Sequence, residues 1–124
     1  MRDAALEFWT TPPNVFLVAT NTSGMVVGCI SYRRITSDTV EMHRLSVDSN
    51  SRGLGIGRKL VQELLDTAKQ NGYRSMYLET SSPQLSAVKL YERLGFQFVR
   101  SILFGNFFAD TFSGLKVLGY SKEV

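Results

Sequence analysis

The chain has 124 residues, 44% hydrophobic and 20% charged, with a formal net charge of +3. A chain of that size is expected to form one domain, spanning 1–124, with a real core and no room for a second, and its composition excludes disordered and collagen-like classes. No long Lys/Arg run and no interleaving of aromatic and basic residues marks a nucleic-acid partner. Nothing reads as a signal peptide, and no apolar run is long enough to span a bilayer, so a soluble chain is expected, cytoplasmic by default. The single cysteine, Cys29, sits in the apolar run "MVVGCISY". It excludes an internal disulfide and any multi-cysteine metal site, and reads as a small core residue on a strand.

The first residues, "MRDAALEFWT", suit a short helical turn stopped by Pro12-Pro13. "NVFLVAT" then reads as a strand, "NTSG" as a turn over Asn21 to Gly24, and "MVVGCISYRRI" as a second strand, together an antiparallel hairpin. "TVEMHRLSV", Thr39 to Val47, favours another strand, and "DSNS" ends it. From Leu54 to Gln70 the apolar positions Leu60, Val61, Leu64, Leu65 and Ala68 recur at helical spacing, closed by Asn71-Gly72. "YRSMYLETS" is a further strand, with Tyr77 and Glu79 alternating against Met76 and Leu78. "SPQLSAVKLYERLG" forms a second helix that opens at Ser82-Pro83 and stops at Gly95. "FQFVRSILF" and "LKVLGYSK" are two more strand candidates. This order predicts an α/β fold on a mixed sheet.

Between the strand ending at Val47 and the helix ending near Gly72 lies "RGLGIG", three glycines in six residues, with Arg58 and Lys59 directly behind. A glycine-rich turn running into a helix leaves backbone N–H groups pointing out of the first turn, where the helix dipole adds positive charge. Glycine at Gly53, Gly55 and Gly57 permits left-handed dihedrals and lets an anion approach the backbone, a geometry that suits a pyrophosphate. Two familiar phosphate motifs fail here. The P-loop needs Gly-Lys-Ser/Thr, whereas Gly57 is followed by Arg58 and Lys59; the dinucleotide fingerprint needs a third glycine where Arg58 stands. The plainer reading is a tight strand-to-helix turn with no ligand.

Arg52-Gly53-Leu54-Gly55-Ile56-Gly57 matches the Q/R-x-x-G-x-G/A signature, and "QLSAVKLYERLGF", Gln84 to Phe96, is similar to N-x-x-A-x-x-L-Y-x-x-x-G-F with Gln84 in place of Asn. In that order and spacing they resemble the GNAT acetyltransferase superfamily from about Val15 to Tyr120, and within it most resemble the camello-type (N-acetyltransferase 8-like) proteins. The resemblance implies a mixed, mostly antiparallel central sheet flanked by helices, with acetyl-CoA as co-substrate cradled at the glycine loop, no metal, and an amine as acceptor. Camello-type proteins imply cysteine S-conjugates or protein lysines as acceptors. They also imply anchorage to the endoplasmic reticulum membrane by an apolar segment that this chain lacks. Superfamily members carry a further strand and helices ahead of the first hairpin; a chain without them is expected to be a short form or a fragment, with a sheet edge left open at Val15. That edge and the aromatic tail from Phe104 to Phe112 lead to the expectation of a homodimer.

Acetyl transfer to an amine needs a base, an oxyanion site and an acid. Glu41, His43, Leu45 and Val47 fall on one face by strict alternation. By resemblance to histone-type members Glu41 is the general base; its bland reading is an ion-paired surface carboxylate. His43 is the second choice, through proton relay, and as a lone histidine is otherwise a packed bystander. The resemblance also implies that main-chain amides of Leu45, Ser46 and Val47 face the acetyl group. Tyr91, at the tyrosine of the second signature, is then the acid that protonates the CoA thiolate, or else a buried core ring. Gln84 would bond the pantetheine, and Arg52, Arg58 and Lys59 would complete a cofactor site built on Gly53, Leu54, Gly55, Ile56 and Gly57. Trp9, Phe104, Phe107, Phe108 and Phe112 line an acceptor pocket or belong to core and interface. Two other classes remain open at this stage: an inactive acyl-CoA-binding or interaction module, and a nucleotide-binding protein using the same loop.

Overall fold

The computed structural model describes residues 5–11, 14–81, 85–103 and 116–124. Strands β1 (Ala5–Thr11), β2 (Asn14–Thr20), β3 (Val26–Arg34), β4 (Thr39–Val47), β5 (Ser75–Ser81), β6 (Gln97–Leu103) and β7 (Lys116–Glu123) form one sheet in the order β1-β2-β3-β4-β5-β7-β6. Only the β4–β5 pairing is parallel among them. Helices α1 (Ile56–Gln70) and α2 (Leu85–Arg93) connect β4 to β5 and β5 to β6. The mixed, mostly antiparallel sheet with its helices is the predicted fold class.

The first residues depart from expectation. Ala5–Thr11 is a strand, not a helical turn, and pairs with β2 from Ala5↔Thr20 to Thr11↔Asn14. A single helical turn closes few hydrogen bonds for the dihedrals it fixes, whereas a strand laid along β2 gains a partner at every second group, so the non-local pairing wins. β1 covers the strand that carries Val15, so the outer edge of the sheet, and with it the edge ground for a homodimer, moves to Ala5–Thr11. The other ground, Phe104 to Phe112, and the side chain of Trp9 lie outside the described residues.

Helix α1 buries Leu60, Val61, Leu64, Leu65 and Ala68, as the helical spacing predicts, and adds Ile56. These pack on Leu17, Ile30, Tyr32, Val40, Met76 and Leu78 from the facing side of the sheet. Its end is a Schellman cap: Gly72, at φ 87°, donates to Lys69 O at 3.1 Å, and Tyr73 donates to Ala68 O at 3.0 Å. Asn71 Nδ2 then donates to Tyr32 Oη at 2.8 Å, tying the helix terminus to β3. Helix α2 closes in the same way. Gly95, at φ 93°, donates to Glu92 O, and Phe96 donates to Tyr91 O, both at 3.0 Å. The Tyr91 and Phe96 rings meet edge to face at 5.9 Å, the apolar contact that accompanies such caps. "YERLGF" is therefore a helix stop in physical terms, and it fixes where Tyr91 points.

Strand β4 does not keep strict alternation. Cys29 faces Ser46 and Ser31 faces His43, so Ile30 alone on β3 opposes two residues of β4, and Arg44 takes φ 59°. This is a β-bulge, which turns the strand by one residue. Ahead of it Val40 and Met42 belong to the core while Glu41 and His43 face away; after it Leu45 and Val47 pack toward the core and Ser46 is exposed. Glu41, His43, Leu45 and Val47 thus do not share a face, contrary to the alternation. On β3 a Cβ added to Gly28 would meet Leu60 Cδ1 and Ser46 O, each at 3.0 Å, so α1 rests directly on the backbone there. Gly28→Ala is expected to cost about 1–3 kcal/mol, seen as a lower urea midpoint at an unchanged slope. An unshifted midpoint would show that α1 does not sit this close to β3.

Candidate active site

The parallel pairing of β4 and β5 runs from Thr39↔Ser75 to Met42↔Leu78 and ends there among the described residues. Beyond it β4 continues along β3 to Val47, and β5 continues along β7 to Ser81. The two strands part, leaving an opening in mid-sheet with the bulge at Arg44 on one bank. Glu41 and His43 lie around the fork, and the glycine turn lies past the far end of β4.

Gly53 (φ 82°) and Gly55 (φ 77°) both hold left-handed dihedrals, and Gly55 is the N-cap of α1. An added Cβ at either would meet nothing within 4 Å. Their requirement is conformational, and the space in front of them is open. The first helical bond runs from Lys59 N–H to Gly55 O at 3.0 Å, so the amides of Ile56, Gly57 and Arg58 precede the helix's own bonding. No acidic residue occupies that first turn. Gly57 is different from the expectation that all three glycines are left-handed. It is helical, and its added Cβ would touch Leu90 Cδ2 and Val47 Cγ2, each at 3.7 Å, where the end of β4, the start of α1 and α2 converge.

Leu54, Gly55, Arg58, Lys59 and Gln62 line a groove of about 330 Å³ over the helix terminus. Lys59 Nζ lies 3.3 Å from Glu63 Oε1, leaving the exposed Arg58 as the more available cation. Arg52 Nε donates to Val47 O at 3.4 Å and so braces the turn against the end of β4. Gln84 lies outside the described residues.

On the opposite side of the sheet from α1, Glu41 is nearly buried, with 10% of its side chain exposed. Arg33, its register partner on β3, donates to Glu41 Oε1 from Nε at 3.4 Å and from Nη2 at 3.2 Å. His43 Nε2 is buried and lies 3.2 Å from the same oxygen, but its direction gives no hydrogen bond, so the contact is one of charge and proximity. Asn14, Phe16, Ser31, Arg33, His43 and Arg44 line a cavity of about 480 Å³ beside this pair. Neither arginine was singled out from the sequence. Arg33 was legible from the hairpin register, which sets it opposite Glu41; Arg44 was not, because its exposure follows from the bulge.

Next to Glu41 in the parallel register stands Tyr77. Its hydroxyl donates to Glu79 Oε2 at 3.0 Å and accepts from Arg100 Nε at 2.9 Å, with the guanidinium 5.3 Å from the ring centre. Burial raises its phenol above the usual tyrosine range, and the bond from Arg100 lowers it in part. Tyr91 is buried at the core end of α2, one residue from Leu90 at the Gly57 junction, and desolvation raises its phenol as well. A phenol so placed keeps its proton through the neutral range.

A parted pair of parallel strands, a left-handed glycine turn at a helix start and a carboxylate near the fork are the parts of this candidate site in the mixed sheet. Residues 1–96 match the acetyltransferase (GNAT) family, and the chain belongs to that family. It is similar to the N-acetylaspartate synthetase of Xenopus tropicalis, 41% identical over 100 residues that make up 80% of this chain and 36% of that protein. It is also similar to camello of the same organism, a probable N-acetyltransferase, at 41% over 76 residues (60% and 35% of the two chains), and to human N-acetyltransferase 8B at 34% over 102 residues (78% and 44%). The chain spans about a third of the length of the N-acetylaspartate synthetases it matches. Among solved structures, a GNAT family acetyltransferase of Elizabethkingia anophelis with acetyl-CoA bound superimposes with a TM-score of 0.84 at 17% identity, covering 100% of both chains. The IAA acetyltransferase of Bacillus cereus superimposes at 0.83 with 19% identity, covering 98% of this chain and 99% of that one. These likenesses establish the fold. Among the described residues no helix is long and apolar enough to cross a membrane.

The glycines separate in a binding experiment. Gly55→Val forces a β-branched residue into left-handed space, at about 1–2 kcal/mol, and is expected to weaken acetyl-CoA binding by roughly tenfold or more in a folded protein. Gly57→Ala adds a methyl at ordinary contact distance and is expected to bind nearly as well as the parent. Calorimetry that ranked the two variants the other way would remove the turn from the ligand site.

Proposed function

We propose that this chain transfers the acetyl group of acetyl-CoA to the primary amine of a small acceptor that carries a carboxylate. The observation that carries the reading is the opening between β4 and β5, with free helix-start amides at one end and the buried Glu41 at the other. The amides and Arg58 suit the pyrophosphate of acetyl-CoA, and the pantetheine arm would reach along the opening past Val47. The cavity carries Arg33 and Arg44, which favour an acceptor with an acid group over a protein lysine. The relatives named N-acetylaspartate synthetase agree with such an acceptor.

The chemistry follows from charge. The acceptor's ammonium gives up a proton to Glu41, directly or through His43, and its nitrogen lone pair attacks the thioester carbonyl carbon. The carbonyl electrons move onto oxygen, where main-chain amides of Leu45 and Val47 beyond the bulge stabilise the negative charge, while Ser46, paired with Cys29, turns its amide toward β3. As the intermediate collapses, the nitrogen gives up its second proton to solvent, the C–S bond breaks, and Tyr91 supplies the proton that the leaving thiolate takes. The proton held at Glu41 returns to solvent, and Tyr91 is reprotonated from it.

Tyr91→Phe is therefore expected to lower kcat by about 10²-fold or more while acetyl-CoA affinity stays close to the parent's, because an acid acts in the transition state and not in ground-state binding. The pH profile has a set sign. Activity requires the protonated phenol and so falls as pH rises through its pKa; burial moves that limb above the usual tyrosine value of ~10. A kcat profile in which the alkaline limb lies below that value would exclude Tyr91 as the acid. An inactive acyl-CoA-binding module is the second reading. Coenzyme A thiol release with a library of amines separates the two: release supports transfer, and a melting temperature raised by acetyl-CoA without release with any amine supports the module.

A further inference from the structure

We infer that Arg33 has two alternative partners, Glu41 in the free protein and the carboxylate of the acceptor in the complex, so that acceptor recognition uncovers the base. This rests on the transfer reading of the same site. In the free protein three nitrogens converge on one oxygen, Glu41 Oε1: Arg33 Nε at 3.4 Å, Arg33 Nη2 at 3.2 Å and His43 Nε2 at 3.2 Å. None has the ~2.7–2.9 Å length of a strong charge-assisted bond, and the guanidinium does not span both carboxylate oxygens as a two-pronged pair does. It is a loose clamp on a crowded atom.

An ammonium that joins Oε1 competes there with the two bonds from Arg33, and Arg33 is the group free to go. Its side chain is 65% exposed against 38% for His43, so leaving Glu41 does not bury an unpaired charge. Moving His43 instead would take its buried Nε2, which makes no hydrogen bond, away from the carboxylate beside it. Arg33 also lines the cavity, beside Arg44, so its destination is space that the acceptor occupies. In an α-amino acid the ammonium and the carboxylate sit on the same carbon, and Arg33 and Glu41 sit opposite each other in the β3–β4 register. The acceptor's two charges thus meet the two residues in complementary order: ammonium on Glu41, carboxylate on Arg33. An amine without the carboxylate must break the clamp with only water to receive the guanidinium. Arg33 is on this account a specificity-determining residue that works through Glu41.

The test compares acceptors that differ only in that carboxylate: L-aspartate against its α-amide, and S-benzyl-L-cysteine against its α-amide, with acetyl-CoA and thiol release as readout. The parent is expected to prefer the acid over the amide by about tenfold or more in kcat/KM in at least one pair. In Arg33→Met that ratio is expected to fall to near one through KM for the acid, and Arg33→Lys is expected to restore part of it. Calorimetry with CoA checks that both variants keep the cofactor site. If Arg33→Met slows acid and amide equally, or the parent ignores the carboxylate while acetylating amines, the inference is overturned and the transfer reading stands. If the parent binds acetyl-CoA and acetylates no amine, both fall together.

Discussion

The parting of β4 and β5 is the constraint on which the rest of the site depends. A continuous parallel ladder would satisfy the facing backbone groups of both strands and leave a ligand no way into the sheet. Here the ladder stops at Met42↔Leu78, each strand carries on with its other neighbour, and the gap between them is held open from both sides. β7 pairs along the whole of β5, from Ser75↔Glu123 to Ser81↔Val117, so β5 keeps its line. The bulge at Arg44 breaks the regular line of β4 beside the gap.

The bulge has a second consequence, which explains how one strand serves two sides of the sheet. Before it, the residues facing away from α1 are Glu41 and His43; after it, Leu45 and Val47 turn toward the core and the α1–α2 junction. A carboxylate beside a cavity on one face and a smooth apolar margin leading to a helix start on the other are thereby joined within seven residues of chain. Arg44 absorbs the turn at φ 59°, a dihedral that is uncommon for residues other than glycine, and strain of that kind persists only where the surrounding pairing imposes it.

Much of this was legible in the sequence because it is written in local signals. The helical stripe of α1, the Asn71-Gly72 stop and the Gly95-Phe96 stop are decided by side-chain period and by caps within a few residues. Gly53 and Gly55 announced the left-handed turn. What was not legible depends on partners far away along the chain. Ala5–Thr11 becomes a strand only because β2 is beside it, and nothing within those seven residues overrules a helical turn. A period-two reading of β4 cannot reveal a bulge, since the extra residue is defined by the opposing Ile30, so the shared face assigned to Glu41 and Val47 was wrong. A run of glycines invites one reading for all three, yet Gly57 belongs to the helix and faces Leu90 and Val47.

Amide hydrogen exchange with and without acetyl-CoA tests the central claim most directly, because it reads the two banks of the opening and the helix start in one measurement. The account predicts that binding slows exchange at Leu45 and Val47, past the bulge, and at Ile56 to Arg58 in the first turn of α1, while Phe16 to Ala19 in β2 is unaffected. Protection confined to the helix start, with none at Leu45 and Val47, would contradict it: the ligand would then rest on the glycine turn without entering the sheet.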